Sequence, residues 1–212
     1  MKFDLAKGSF AKSPGKDNAP SITRQSNGFD QFSSMLQTTE SASVLDMSGA
    51  SQANISFITG AGHRISSDDI LGSMQQFFGD DFLESQQAAS NAQRFLETTL
   101  TFPNAFFNGA LVWDALQFLA SPLMDQTVAQ LLRVVRPGGL ILAFFNGNEK
   151  ITRIPLYNYR IQDAKTIVQI PRGGSQRCQY FNNRTLEKLF QSAESVKFFL
   201  TRDNTREVLV RR

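Results

Sequence analysis

Four carboxylates in this 212-residue chain stand where short apolar runs end, and their surroundings suggest what they could do. Asp46 closes Ser43-Val44-Leu45 and precedes the small-residue turn Ser48-Gly49-Ala50-Ser51. A turn of that composition lets backbone approach a ligand closely, because glycine tolerates φ angles that other residues avoid. Asp68 and Asp69 follow the run His63 to Ser67, and Asp114 follows Ala110-Leu111-Val112-Trp113. In open α/β sheets ligands sit at the carboxyl ends of the strands, so these positions are the candidate binding residues. Other chemistry is sparse. His63 is the only histidine and Cys178 the only cysteine, which leaves no zinc constellation, no Ser/His/Asp triad with a spare base and no intrachain disulfide. Cys178 reads as a small, partly buried side chain.

The elements that must position these carboxylates alternate. Phe29, Phe32, Met35 and Leu36 mark one face of a short helix ending near Thr38. A strand at Ser43–Met47 leads through the small-residue turn to a helix beginning near Gln52 to Asn54. A second strand is expected at His63–Ser67, a helix at Ile70–Phe78, and a weaker helical pattern over Glu84–Phe95. Phe107–Trp113 reads as a strand buried on both faces, as in a parallel sheet. A helix from about Met124 to Val135 is stopped by Pro137, Gly138 and Gly139, and Leu140–Phe145 is the next buried strand. Parallel neighbours need a crossover between them, so the alternation implies a parallel sheet covered by helices. Beyond Asn146 we expect a strand at Thr166–Ile170, a polar loop at Arg172–Arg177, a helix at Arg184–Ala193 capped by Asn182 or Asn183, and a closing antiparallel hairpin of Val196–Thr201 and Glu207–Val210.

Composition bounds the rest. A chain with 41% hydrophobic residues and 19 phenylalanines can bury one sizeable core, so a single domain over 29–212 is expected. Residues 1–28, rich in Lys, Ser, Gly, Pro and Asn, read as a flexible leader. No run approaches a membrane span, Met1-Lys2-Phe3-Asp4 lacks the apolar stretch of a signal peptide, and one cysteine suits a reducing compartment. A cytoplasmic protein with no membrane partner is the expectation. The formal charge is +3, but 12 Lys/Arg face 5 Asp/Glu in 151–212. The scattered basic residues read as a solvated face, and a nucleic-acid partner finds only weak support in them.

The order of elements and its punctuation resemble the class I S-adenosylmethionine-dependent methyltransferases over residues 40–212. Trp113-Asp114-Ala115-Leu116-Gln117-Phe118-Leu119 is similar to the segment after that family's fourth strand, and Leu131-Leu132-Arg133-Val134-Val135-Arg136-Pro137-Gly138-Gly139-Leu140 to its turn before the fifth. Tyr180 to Phe190 and the hairpin behind it fit the late helix and strands six and seven. The resemblance implies a Rossmann-like sandwich, with a mostly parallel seven-stranded sheet whose seventh strand alone is antiparallel and which ends in a C-terminal hairpin. It implies S-adenosylmethionine as cofactor. The family's glycines would stand at Ser48, Ala50 and Gln52, with Gly49 between them. The implied cofactor-binding residues are Asp46, Ser48, Gly49, Ala50, Asp68, Asp69, Trp113 and Asp114.

Within that resemblance Asp69, or its neighbour Asp68, would accept hydrogen bonds from the ribose hydroxyls; alternatively the two only cap the next helix. Asn54 would cap its helix or line the methionine end of the pocket. Trp113 would pack on the adenosine or in the core. An acidic residue after strand three, towards the adenine amine, has no clear counterpart, Glu97 being the nearest. Methyl transfer from a sulfonium relies mostly on proximity and alignment, so the lack of an evident catalytic base is no objection, and none is nominated. The acceptor is expected to be a small or medium molecule, with Tyr157, Tyr159 and Arg160 either contacting it or covering the core. The alternative is a non-catalytic binding or scaffold protein that kept the fold while its glycine loop drifted. A nicotinamide-dependent oxidoreductase ranks behind both, because the first turn lacks GxGxxG.

Overall fold

The computed structural model describes residues 20–121 and 123–212. Its elements in chain order are β1 (Ile22–Gln25), α1 (Asn27–Thr38), β2 (Ser43–Asp46), α2 (Gln52–Gly60), β3 (Arg64–Ser67), α3 (Ile70–Phe78), α4 (Phe82–Ser85), α5 (Ala89–Thr98) and β4 (Phe107–Trp113). After a 3-10 turn at Ala115–Phe118 come α6 (Leu123–Val134), β5 (Val135–Asn146), β6 (Arg153–Ile161), β7 (Thr166–Arg177), α7 (Asn183–Leu189), β8 (Ser195–Leu200) and β9 (Thr205–Arg211).

The main sheet has six strands in the order β3-β2-β4-β5-β9-β8. β3, β2, β4 and β5 run parallel, and β9 is antiparallel to both β5 and β8. The last strand alone is therefore reversed. Apolar residues alternate between the two faces of the buried strands, giving two cores. Leu45, Ala110, Val112, Ile141 and Ala143 face α3, α5, α6 and α7, while Val44, Leu111, Leu142 and Phe144 face α1 and α2. On that second face Phe29, Phe32 and Leu36 of α1 are buried, as their helical spacing predicts. Ser26 caps α1, its Oγ accepting from the Phe29 N–H at 3.0 Å.

A separate three-stranded sheet, β1-β7-β6, is antiparallel throughout. It corrects three expectations. The main sheet has six strands rather than seven, because Thr166–Ile170 belongs to the second sheet. The Arg172–Arg177 segment is not a loop but the second half of β7. The C-terminal pair is not a hairpin appended to a parallel sheet, since β9 inserts between β5 and β8. Part of the expected leader also joins the fold: Ile22–Gln25 form β1 on β7, and Arg24 in it is buried. Residues 1–19 lie outside the described residues.

Smaller differences have local causes. The pattern over Glu84–Phe95 is two helices, α4 capped by Asp81 and α5 beginning at Ala89. β5 starts at Val135, before Pro137, since Phe107 pairs with Val135 before the ladder shifts register. The late helix ends at Leu189, and Asn182 rather than Asn183 is its cap.

Candidate ligand-binding crevice

The carboxyl ends of β2, β3 and β4 converge under the second sheet. Asp46 ends β2 with no exposed surface. Its Oδ1 accepts from Trp113 Nε1 at 2.7 Å and from the Ser48 N–H at 3.1 Å, with the Ser48 hydroxyl 3.0 Å away. Its Oδ2 accepts from Asn54 Nδ2 at 2.5 Å. Burial pushes its carboxyl above the ordinary value, and these donors hold it back.

Asn54 does not cap α2. It lies inside the helix, fully buried, and bridges to β6 by donating to the Tyr159 carbonyl at 3.0 Å and accepting from the Ile161 N–H at 2.7 Å. Ser51 is the cap residue but makes no side-chain cap bond. Gly49 takes the left-handed conformation that its place in the turn requires, with φ +85°, and its N–H donates to the Asp68 carbonyl.

Asp68 and Asp69 part company. The Asp68 backbone N–H donates to the Asp46 carbonyl, tying the end of β3 to β2, while burial raises its carboxyl. Asp69 caps α3, accepting from the Gly72 N–H at 2.9 Å. It also receives Arg172 of β7 through two bonds, Nη1 to Oδ1 at 2.5 Å and Nη2 to Oδ2 at 2.8 Å. Burial alone would raise the Asp69 carboxyl, but the Arg172 bonds, the Gly72 N–H and the Arg172 charge outweigh it and bring it below the ordinary value.

Trp113 is a core side chain, 1% exposed. It stacks on Tyr159 with ring centroids 4.8 Å apart and planes at 5°, and it packs on Phe29 and Phe144. Its φ of +56° is uncommon for a bulky residue, and the β4–β5 ladder shifts register between Leu111 and Trp113. Such irregularities at a strand end re-aim a side chain, here turning the indole N–H onto Asp46.

Asp114 follows, 4% exposed, and takes a hydrogen bond from the Tyr159 hydroxyl, which also accepts from Gln169. Burial pushes the Asp114 carboxyl up to about 7, against the pull of that bond, its own backbone N–H and the Arg172 charge. The Tyr159 phenol is raised by burial and by Asp114. A carboxyl poised near neutrality in a cleft can hold or release a proton at working pH.

Two cavities flank β6. One, of 280 Å³, is lined by Ser48, Ala50, Ser51, Gln52, Ala53, Asn158, Tyr159 and Arg160. The other, of 260 Å³, has Asp114, Phe144, Phe145, Tyr157 and Tyr159 in its wall. Each falls just under the range of roughly 300–1,000 Å³ usual for small-molecule sites, and Tyr159 of β6 lines both. Larger hollows of 480 and 540 Å³ lie beside α6, away from these carboxylates.

The structure thus brings Asp46, Ser48, Gly49, Asp68, Asp69, Trp113 and Asp114 to one end of the sheet, with Ala50 in the wall of the first cavity. Sequence reasoning missed Arg172 and the bridging role of Asn54. Neither carries a local signal, since each acts on an element far away in the chain. Glu97, in the last turn of α5, has its carboxylate bonded to Gln93 on the helix surface.

No protein-family model and no curated protein matches this chain. Solved structures do. The PH0226 protein from Pyrococcus horikoshii OT3 is 13% identical, with a TM-score of 0.50 over 86% of this chain and 88% of that one. That protein and this chain share an α/β fold. Weaker likenesses include an S-adenosylmethionine-dependent methyltransferase from Archaeoglobus fulgidus, with 10% identity and a TM-score of 0.49 over 87% of this chain and 94% of that one. The Burkholderia thailandensis 1,6-didemethyltoxoflavin-N1-methyltransferase, with bound 1,6-didemethyltoxoflavin and S-adenosylhomocysteine, is 15% identical, with a TM-score of 0.47 over 88% and 78%. Among the described residues no helix is long and apolar enough to cross a membrane, and no group of three or more metal-ligating side chains forms.

Proposed function

We propose that this protein is an S-adenosylmethionine-dependent methyltransferase acting on a small or medium acceptor. The observation that carries the reading is the crevice itself: a methyltransferase-type sheet, with its last strand alone reversed, gathers Asp46, Asp69 and Asp114 at the carboxyl ends of its parallel strands. That end is where open α/β sheets bind ligands.

The donor set fits the cofactor chemically. Asp69 is ionised at neutral pH, given its lowered carboxyl, and a vicinal diol could take the two oxygens that Arg172 now holds. Ser48, Ala50 and Ser51 form a small-residue wall before α2, whose cap residue makes no side-chain bond to the first turn. When bound, the cofactor's sulfonium supplies the methyl group. The chain's part is to align the acceptor, exclude water and manage a proton.

For the acceptor, the cavity walled by Phe144, Phe145, Tyr157 and Tyr159 favours an apolar or aromatic molecule, with Asp114 placed to take the proton that a hydroxyl or amine loses. The basic residues of the last third give little support to a nucleic-acid substrate, because many are engaged internally. Arg172 pairs with Asp69, Arg177 with Asp81, and Arg206, Arg211 and Arg212 donate to backbone carbonyls.

Calorimetric titration with S-adenosylmethionine and S-adenosylhomocysteine tests the reading. Micromolar binding is expected, weakened about tenfold or more in Asp69→Ala, the loss that goes with roughly 1.4 kcal/mol of hydrogen bonding. Asp46→Ala is a poor control, since that carboxylate holds buried donors. Absence of heat and of thermal stabilisation at millimolar ligand would overturn the proposal and favour a binding or scaffold protein.

A further inference from the structure

We propose that Arg172 is a latch that competes with the cofactor for Asp69, so that the crevice alternates between a self-occupied state and a ligand-open one. The inference rests on the methyltransferase reading of the crevice. Both Asp69 oxygens that a ligand diol would use are taken by one guanidinium, through the pair of bonds at 2.5 and 2.8 Å. Occupation by Arg172 and by a diol is mutually exclusive.

Asp69 itself is held in place. Its Oδ1 accepts from the Gly72 N–H, and a Cβ on Gly72 would stand 2.6 Å from Oδ2, so only glycine leaves room for the carboxylate over the start of α3. The acceptor is therefore preorganised whichever partner it has.

Arg172, by contrast, stands at an irregular stretch of β7. It is followed by Gly173 and Gly174, with φ of +83° and +77° and open space where either Cβ would point. The β6–β7 ladder shifts register across this stretch, between Pro155 and Tyr157. On either side the chain is fastened. Thr166–Gln169 pair with β1, and beyond the glycines Gln176 bonds the Asp80 carbonyl and the Phe82 N–H while Arg177 pairs with Asp81. The second sheet is thus held on both sides of Arg172 and stays docked when the guanidinium leaves.

Release is easy. The Arg172 and Asp69 side chains are 21% and 43% exposed, and ion pairs with that access to solvent add little net stability and are screened by salt.

The test compares wild type, Arg172→Met and Arg172→Lys by titration with S-adenosylhomocysteine at low and high ionic strength, with hydrogen exchange of residues 166–177 followed alongside. Arg172→Met is expected to bind at least tenfold more tightly than wild type. Arg172→Lys should fall between them, since lysine keeps the charge but loses the two-pronged fork. Added salt should tighten binding to wild type and leave Arg172→Met unchanged, and ligand should speed exchange at residues 173–175 in wild type. Equal or weaker binding by Arg172→Met, with wild type still binding, would overturn the latch and leave the cofactor reading standing. Binding by neither protein at millimolar ligand would overturn both.

Discussion

Of the arginine–carboxylate pairs that join the second sheet to the main domain, Arg24–Glu207 and Arg172–Asp69 differ sharply in burial. Arg24 of β1 reaches Glu207 of β9 at 2.7 Å with side chains 7% and 0% exposed, while Arg172 of β7 meets Asp69 at 2.5 Å in partial solvent. Both Glu207 oxygens are committed: Gly28 N–H donates to the second at 2.7 Å, while Arg24 also bonds Thr205 and its guanidinium lies 5.2 Å over the Phe144 ring. A Cβ on Gly28 would stand 2.7 Å from the Leu142 side chain and 3.1 Å from Glu207, so a larger residue would push both aside. The same chemistry is an anchor where water is excluded and an exchangeable contact where it is not.

The sharpest way to break this comparison is Arg24→Met. It leaves Glu207 buried without its cation, and we expect a loss of about 3 to 5 kcal/mol in urea unfolding. A loss under about 1 kcal/mol would put the two pairs in one class. Asp46→Ala comes next, at about 3 kcal/mol, because the Trp113 indole N–H and one Asn54 donor bond lose their buried acceptor. Fluorescence of Trp113, the only tryptophan, should shift in the still-folded fraction.

Asp114→Asn probes the cleft between the two pairs. With its folded pKa raised from 3.8 to about 7, Asp114 binds its proton more tightly in the native state than when unfolded. Its contribution is therefore fully present below about pH 4 and is lost as pH rises through about 7. Asparagine stays neutral, so the variant should gain on wild type as pH rises, by about 1.4 kcal/mol per unit between the two values and by about 4 kcal/mol at pH 8. Melting temperatures measured from pH 4 to pH 8 check the slope, and parallel curves for the two proteins would contradict it. The smallest effect belongs to Arg172→Met, whose unfolding free energy should lie within about 1 kcal/mol of wild type. Stability nearly unchanged beside a large change in cofactor affinity is what separates a latch from an anchor.

Much of the fold was legible along the chain, because it is written in local periodicity. Phe29, Phe32 and Leu36 mark the buried face of α1, and Ala110 to Trp113 mark a strand covered on both sides. The carboxylates at the strand ends were legible for the same reason, since a polar residue after a buried run marks the edge of the sheet. The second sheet was not. β1 lies in a polar segment, and β7 runs through Pro171, Gly173 and Gly174, a composition that reads as loop. Such strands form because pairing with distant partners satisfies their backbone, not because their own residues favour extension.

By itself the sequence determined the alternation of strands and helices and the placing of Asp46, Asp69 and Asp114 at strand ends. Each follows from residues within a few positions of one another. Only the tertiary structure decided what those carboxylates touch. Asp46 holds Trp113, which lies 67 residues away, and Asp69 holds Arg172, which lies 103 residues away. Hydrogen bonds between elements so far apart depend on how sheets stack, and stacking is set by the shape of both cores at once rather than by any local pattern.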